Sequence, residues 1–327
     1  MNVKFRIRVA AAVGAAALGL SLFVSPASAD SETRQIVGVG SAATQDVLNG
    51  LGNAIPDPDN IPDNQLIQSY DATGTTPVTC RSGGTIARPG GSAAGIQALR
   101  NDLTNPSIDC VDFARSSQPP DGVNTPPLTW IAFAKDAVTV AVRSSSVLND
   151  GFGFTTAQLR DIYTCLKTTH NGIALKPLLP QAGSDVRAFF LGKIGVAESQ
   201  VGACVNSALI PENDGTILAD NGNVVPYSVP KYIAQTNGVV IDRHGLAVLT
   251  RVDAAAPRTA NGKLNIAFPY NRDVFNVVPT ARLAGGATPD ADLISAFVSA
   301  SSKVCAQTAV IEAYGFGVIA NCGVTIP

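Results

Sequence analysis

Three short turns combine glycine with hydroxyl-bearing residues, and each stands where a helix is expected to begin. They lie at Gly38–Thr44, Gly91–Gly95 and Gly183–Ser184. The first turn of a helix has unpaired N–H groups and carries about half a positive charge, so it attracts anions without help from Lys or Arg. If the three turns converge on one cleft, their amide and hydroxyl groups would enclose an oxyanion.

The first of these turns also allows two other interpretations. Gly38, Gly40 and Ala43 formally fit the Gly-x-Gly-x-x-Ala pattern of dinucleotide-binding proteins. The acidic residue that this pattern needs about twenty positions later would fall in a proline-rich loop, which disfavours a nucleotide. A tight strand–helix turn that binds nothing is the other alternative.

The sequence shows no signature of catalysis or of a resident metal. His170 and His244 lie in polar, loop-like contexts, and no Gly-x-Ser-x-Gly nucleophile elbow occurs. The cysteines and histidines lack the short spacings of metal sites. We therefore expect no enzyme activity, no metal and no cofactor.

The elements that must position these turns alternate between strand and helix. A β-prone run at residues 36–40 precedes a helical stretch, and a second run at residues 66–70 precedes the helix expected after Gly91. A third strand, Val111–Ala114, ends in Arg115-Ser116-Ser117. This order predicts an α/β protein with a mostly parallel sheet, which binds ligands at the carboxyl ends of its strands.

Composition and charge limit the function further. The chain has 327 residues, 46% of them hydrophobic and 15% charged, so two modest lobes are more plausible than one core. Lys and Arg total 23 against 25 Asp and Glu, which argues against nucleic acid as a partner.

The amino terminus has the pattern of a secretory signal. Lys4, Arg6 and Arg8 precede an apolar run, and Ala27-Ser28-Ala29 supplies an Ala-x-Ala cleavage site. We expect residues 1–29 to be removed after Ala29. No cysteine near the cut could carry a lipid anchor, so the mature chain is expected to be secreted and extracellular.

The six cysteines fall in the mature part, and an even number in an exported chain indicates disulfides. Fifteen pairings are possible. The economical prediction joins sequence neighbours: Cys80 with Cys110, Cys165 with Cys204, and Cys305 with Cys322.

Six sequence segments occur in an order that resembles one known family. They are Gly38–Ser41, Gly91–Ile96, Asp112–Ser116, Phe154–Tyr163, Gly183–Phe190 and Tyr314–Phe316. The chain resembles the phosphate-binding proteins of ABC importers, within the type II periplasmic-binding-protein superfamily. The resemblance implies two α/β lobes, each a mixed, mostly parallel sheet flanked by helices, with two crossover strands at the hinge.

The same resemblance predicts the lobe boundaries. Lobe I would comprise residues 30–135 plus 265–327, and lobe II residues 136–264, because Lys135–Arg143 and Asn265–Val278 resemble the crossover strands. Tyr270 would lie near the hinge.

Carried over residue by residue, the resemblance also predicts the ligand contacts. An aspartate in that family accepts the proton of the bound phosphate, a role that would fall to Asp112. Three features of this chain depart from the family. Leu179-Pro180-Gln181 stands where an arginine is usual, so Arg187 is the nearest basic candidate, Asp185 follows Ser184 where a glycine is favoured, and the anchoring cysteine is absent. The predicted ligand-binding residues are Ser41, Thr44, Ser92, Asp112, Ser116, Ser184 and Arg187.

The sequence thus leads to one main functional hypothesis and two alternatives. The main hypothesis is a monomeric, non-catalytic solute-binding protein that captures phosphate or a similar small anion and passes it to an ABC permease. The first alternative is a secreted interaction or regulatory module whose pocket has degenerated, which Asp185 would favour. The second, a secreted hydrolase, would need a nucleophile–base pair that the sequence does not show.

Overall fold

A computed structural model describes residues 34–57, 65–208 and 210–327 of the chain. The predicted signal peptide, residues 1–29, lies outside the described residues. Within the described ranges, every helix is too short or too polar to span a bilayer.

Thirteen strands and eight α-helices form the described part of the chain. The strands are β1 Ile36–Gly40, β2 Ile67–Ser69, β3 Val78–Thr79, β4 Thr85–Ile86, β5 Phe113–Ser116, β6 Leu128–Arg143, β7 Thr169–His170, β8 Ile173–Ala174, β9 Lys176–Pro177, β10 Asn223–Ser228, β11 Ala247–Leu249, β12 Asn271–Pro279 and β13 Thr325–Ile326. The helices are α1 Gln45–Ala54, α2 Ser92–Thr104, α3 Thr156–Tyr163, α4 Asp185–Ile194, α5 Val229–Thr236, α6 Ala291–Phe297, α7 Lys303–Ala306 and α8 Thr308–Ala313.

One mixed sheet runs through the molecule in the order β2-β1-β5-β12-β6-β10-β9, with β11 and β13 also pairing with β6. β1 is parallel to β2 and β5, whereas β12 is antiparallel to both β5 and β6. The sixteen-residue strand β6 is buried along most of its length, as expected for an apolar strand covered on both faces. The sheet therefore contains both parallel and antiparallel pairs and is flanked by helices.

Separate hydrophobic cores divide the molecule into two lobes. The first core draws on residues 36–134 and 274–322, and the remaining core residues lie between Ala137 and Tyr270. We call the regions around them lobe I and lobe II. β6 and β12 pass from one lobe to the other and pair with each other along the passage, so two crossover strands join the lobes.

The second lobe retains slightly more of the chain than the predicted boundary at residue 265 allows. Phe268 and Tyr270 fall after that boundary, yet their side chains pack in the core of lobe II. The change of core occurs between Tyr270 and Val274, where β12 begins.

All six cysteines are paired as predicted. Cys80–Cys110 and Cys305–Cys322 lie in lobe I, and Cys165–Cys204 lies in lobe II. No cysteine is free, and no disulfide joins the lobes. Opening of the cleft is therefore not restrained by a covalent bond between side chains.

Candidate anion site between the lobes

Three buried serines of lobe I meet at the carboxyl edge of the sheet. Ser41 follows β1, Ser117 follows β5, and Ser92 is the first residue of α2, all less than 4% exposed. Parallel strands end at one edge, which brings Ser41 and Ser117 together. We call Ser41, Ser92 and Ser117 the serine cradle.

A close approach of backbone allows α2 to reach this edge. A Cβ atom on Gly95 would lie 2.5 Å from the Cα atom of Gly40, so both positions require glycine for the helix to pack against the end of β1. Gly40 also has a φ of 121°, which L side chains rarely adopt. The glycines at the first two predicted turns thus position Ser41 beside Ser92.

The occupant of the serine cradle is a carboxylate from the other lobe. Ser41 Oγ donates to Asp185 Oδ2 at 2.8 Å, and Ser92 Oγ donates to the same oxygen at 3.4 Å. Asp185 is the first residue of α4, on lobe II, and its side chain is buried. The cradle therefore holds an anionic oxygen without any direct contact to a basic side chain.

Ser117 orients Ser92 within the cradle. Its backbone N–H donates to Ser92 Oγ at 3.1 Å, and the two hydroxyl oxygens lie 3.2 Å apart. When the amide and hydroxyl of Ser117 donate, the Ser92 hydroxyl proton remains available for the carboxylate.

A fully buried arginine lies behind the cradle. Arg115 of β5 donates to the carbonyl oxygens of Ser41 at 3.3 Å and Gly40 at 3.2 Å, and also to Ser69 Oγ. Burial lowers the pKa of Arg115 to about 10, a shift that the charges of Asp71 and Asp46 oppose. Its guanidinium remains positive at neutral pH and favours negative charge at the Ser41 turn.

Thr44 lies one turn beyond Ser41. Its side chain is buried, and its hydroxyl has no hydrogen-bond partner. Thr44 precedes α1 but does not cap it through its side chain. The structure therefore leaves one polar group available near the cradle.

On lobe II, the start of α4 is occupied by a second carboxylate. Ser184 caps the helix by accepting from the Arg187 amide at 3.0 Å, and its hydroxyl donates to Glu212. The amide of Val186 donates to Glu212 Oε1 at 3.3 Å. Burial raises the pKa of Glu212, opposed by its hydrogen bond to Ser184. The donors expected to face an anion at this turn thus bind Glu212.

A third acid completes the face that lobe II turns to the cleft. Asp136 of β6 is almost fully buried and accepts from Arg272 Nε at 2.7 Å. Burial raises the pKa of Asp136, Arg272 lowers it, and the charge of Asp185 raises it further. We call Asp136, Asp185 and Glu212 the acidic face, and Arg272 is the cation whose charge acts on Asp136 and Glu212.

Three of the predicted ligand contacts lie elsewhere. Asp112 precedes β5, at the amino end of the strand, where it accepts from the Val37 amide and from Arg81 at 2.8 Å and from Arg282 at 2.5 Å. Strand geometry puts it about 13 Å from Ser41 along the strand direction. The structure therefore does not bring Asp112 to the cradle, because its carboxylate binds Arg81 and Arg282.

Arg187 also turns away from the cradle. It forms an ion pair with Glu198 at 2.6 Å and donates to the carbonyl of Pro180 at 2.8 Å. Ser116 closes its own turn, because its hydroxyl donates to the Gln118 carbonyl at 2.8 Å and accepts from the Gln118 amide at 3.0 Å. Neither residue contacts Asp185.

Several site residues were missed by sequence reasoning. Ser117 had the needed signal, because it follows the end of a strand, whereas Asp112 precedes one. Arg115 was visible as a charge inside an apolar strand. Asp136 had the same signal inside the apolar strand β6, whereas Glu212 and Arg272 had none, because distant segments place them.

Solved structures similar to this chain were found, whereas no protein-family model and no curated protein matches it. An ABC-type phosphate transport receptor from Vibrio cholerae is 17% identical, with a TM-score of 0.58, covering 87% of this chain and 100% of the receptor. A putative phosphate ABC transporter substrate-binding protein from Clostridium perfringens, with bound phosphate, is 14% identical, with a TM-score of 0.56, covering 87% of this chain and 99% of that one. The chain has the fold of phosphate-binding proteins.

A phosphate-binding protein from Stenotrophomonas maltophilia shows the same fold likeness, with 14% identity and a TM-score of 0.51, over 89% of this chain and 92% of that protein. In the phosphate-binding-protein fold of this chain, the serine cradle and the acidic face meet across the cleft. The two cradle hydroxyls that contact lobe II, those of Ser41 and Ser92, both donate to the carboxylate of Asp185.

This pairing has an electrostatic consequence for any free anion. Two like unit charges about 4 Å apart near a protein surface repel each other by about 4 kcal/mol, so a dianion beside one carboxylate meets about 8 kcal/mol of repulsion. A dianion therefore fits the cradle only when the Asp185 side chain has left it.

Proposed function

We propose that this chain is a secreted, non-catalytic binding protein that holds a small oxyanion of the phosphate class between its lobes. The single observation that carries the proposal is the Asp185 carboxylate in the serine cradle, where Ser41 Oγ donates at 2.8 Å. A buried cradle that satisfies one anionic oxygen has the chemistry to satisfy another. The fold likeness to phosphate-binding proteins supports phosphate as the first anion to test.

The cradle would bind an anion with neutral donors. Hydroxyl groups supply hydrogen bonds to the oxygens, and the charge of Arg115 acts through the carbonyls that it orders. Since Asp112 lies at the other end of β5, it cannot select a protonated anion here. Phosphate and sulfate are therefore expected to bind with similar affinity when Asp185 is out of the cradle.

The proposed role in the cell rests on the predicted signal peptide and on the similar solved structures. The predicted cleavage after Ala29 would release residues 30–327 as a monomer outside the cell. Two of the similar structures carry ABC transport in their names, and an ABC permease is accordingly the proposed partner. No nucleic acid, metal or cofactor is part of this proposal.

One observation favours a second function. The donors of both lobes that an anion would use are bound by Asp185 and Glu212. A chain whose own carboxylates fill its cleft could serve as a secreted interaction or regulatory module on the same fold. This second function predicts no anion binding even when the carboxylate of Asp185 has been removed.

Calorimetric titration of residues 30–327 with phosphate, sulfate and maltose tests the proposal. We expect weak binding of both anions and none of maltose. Ser41→Ala should abolish anion binding, whereas the matched control Ser116→Ala should not, because Ser116 is equally buried but bonds only within its own turn. Anion binding that survives Ser41→Ala would contradict the proposed site.

A further inference from the structure

We propose that Asp185 is an intramolecular ligand of the serine cradle, which closes the two lobes without a free anion and lowers the affinity for one. The closure part stands on the contacts alone. The affinity part rests on the proposed function. Three observations carry the inference, and each concerns a different part of the contact.

The contact joins segments that are far apart in the chain. Ser41 and Asp185 are 144 residues apart, belong to different lobes, and form a buried hydrogen bond of 2.8 Å. Ser92 reaches the same carboxylate oxygen. A bound oxyanion in a cleft would receive donors from lobe I in the same way, so the carboxylate takes the position of a ligand oxygen.

Glu212 frees Asp185 for this role. An acidic side chain in the first turn of a helix is normally attracted to the unpaired amides of that turn. In α4, the Val186 amide donates to Glu212 and the Arg187 amide donates to Ser184. The Asp185 carboxylate is thus directed across the cleft, while Glu212 and Ser184 satisfy its own helix.

Other contacts also join the lobes: Lys263 of lobe II pairs with Glu312 of lobe I, and Gly315 of lobe I packs closely against the Pro230 carbonyl of lobe II. Lys231 of α5 pairs with Asp46 of α1, and Asn237 donates to the Ala313 carbonyl at 2.8 Å. The Lys231 and Asp46 side chains are 30% and 25% exposed, and ion pairs of this kind contribute little. Among the hydrogen bonds and ion pairs that side chains of the described residues form between the lobes, the contact at Asp185 is the buried one, and we expect it to contribute most of the polar stabilisation of the closed form.

The effect on affinity follows from competition. A charge-assisted hydrogen bond that must be broken first reduces the fraction of molecules with an empty cradle by about 10- to 150-fold. The apparent dissociation constant for a free anion rises by the same factor. The carboxylate remains tethered nearby after it leaves, which adds repulsion to the competition.

Small-angle X-ray scattering and calorimetry on dialysed residues 30–327 test both parts. A compact chain of this length has a radius of gyration of about 19 Å, and we expect this value for the wild type without phosphate. Asp185→Ala should increase the radius, and phosphate should restore it with a dissociation constant about 10- to 150-fold below that of the wild type. Asp185→Asn keeps the shape of the side chain and should give a smaller change.

Two control variants test whether the effects of Asp185→Ala come from losing this contact rather than from losing a negative charge or the folded structure. Asp220→Asn removes an exposed acid of lobe II that pairs with Lys176, and it should leave radius and affinity unchanged. Ser41→Ala removes the other half of the contact, so it should open the lobes without any gain in affinity. Circular dichroism of each variant establishes that it folds.

The outcomes distinguish this inference from the proposed function. An Asp185→Ala variant as compact as the wild type without phosphate overturns the closure part. A wild type that binds phosphate as tightly as Asp185→Ala overturns the competition part and leaves the proposed function standing. A variant that opens but binds neither phosphate nor sulfate supports closure and overturns the proposed function.

Discussion

The two faces of the cleft have opposite chemistry. Lobe I presents hydroxyl donors backed by the positive charge of Arg115, whereas lobe II presents the carboxylates of Asp136, Asp185 and Glu212 with Arg272 beside them. Two faces built for one free anion would both offer donors to it. Here the faces complement each other, so the fold of an anion-binding protein encloses an anion of its own.

The two faces of the cleft also depend on different structural features. The serine cradle depends on strand ends and on close backbone contact at Gly40 and Gly95, features of the sheet itself. The acidic face combines side chains at the start of α4 and in a distant loop with Asp136 of β6. A single substitution can therefore change the second face while leaving the first intact.

The largest effect is expected from the charge behind the cradle. Arg115→Met should lower the free energy of unfolding by about 3 kcal/mol, because the Gly40 and Ser41 carbonyls and the Ser69 hydroxyl lose a buried donor. It should also abolish anion binding when combined with Asp185→Ala. Urea denaturation and calorimetry measure the two effects.

Arg143→Met is the matched control for that variant. Arg143 donates to the carbonyls of Leu218 and Ala219, but it lies in lobe II and is partly exposed. Its loss should cost less stability and leave anion binding intact. Equal losses from both variants would mean that Arg115 acts as an ordinary structural arginine.

The next effect compares the two ends of one strand. Asp112→Asn at the start of β5 should lower the free energy of unfolding by about 2–3 kcal/mol, since Arg81 and Arg282 lose a buried carboxylate. In the Asp185→Ala background, the ratio of phosphate to sulfate affinity should stay the same. A changed ratio would restore the proton-accepting role to Asp112.

Asp112 and Ser117, at opposite ends of β5, show how much of the site could be predicted from the sequence. Hydrophobic runs and glycine turns predicted the strands and helices around Ser41 and Ser92, and the rule that ligands bind at carboxyl ends of strands favours Ser117 over Asp112. The family resemblance overrode that rule, which put Asp112 in the site. The reach of Asp185 across the cleft could not be predicted, because it depends on how the lobes pack and on Glu212 satisfying α4.

A smaller effect concerns pH and the acidic face. Burial raises the pKa of Glu212 in the folded chain, so the folded state binds more protons than the unfolded state between the two pKa values. Its contribution to stability is therefore fully present below the unfolded value, near 4.3, and is lost as pH rises through the folded value. Glu212→Gln cannot titrate and should show a gain over the wild type that grows across this window.

Thermal denaturation of both proteins between pH 4 and 8 measures that difference. Glu198→Gln provides a control of opposite sign, because its ion pair with Arg187 lowers the pKa of Glu198. Glu198→Gln should lose stability relative to the wild type as pH rises. A constant difference between Glu212→Gln and the wild type would show that burial of Glu212 does not change its titration.

The smallest effect tests whether Ser117 influences anion binding only through its contact with Ser92. Ser117 forms no hydrogen bond to Asp185; its amide donates to Ser92 Oγ and its hydroxyl oxygen lies 3.2 Å from that atom, so Ser117→Ala removes the hydroxyl contact and retains the amide bond. The Ser92 hydroxyl is then less well oriented to donate its proton to the anion. Loss of one neutral hydrogen bond costs about 1 kcal/mol, or roughly fivefold in affinity. In the Asp185→Ala background, phosphate binding should weaken by that factor, against a complete loss for Ser41→Ala. A loss as large for Ser117→Ala as for Ser41→Ala would mean that Ser117 itself contacts the anion when the lobes close around it.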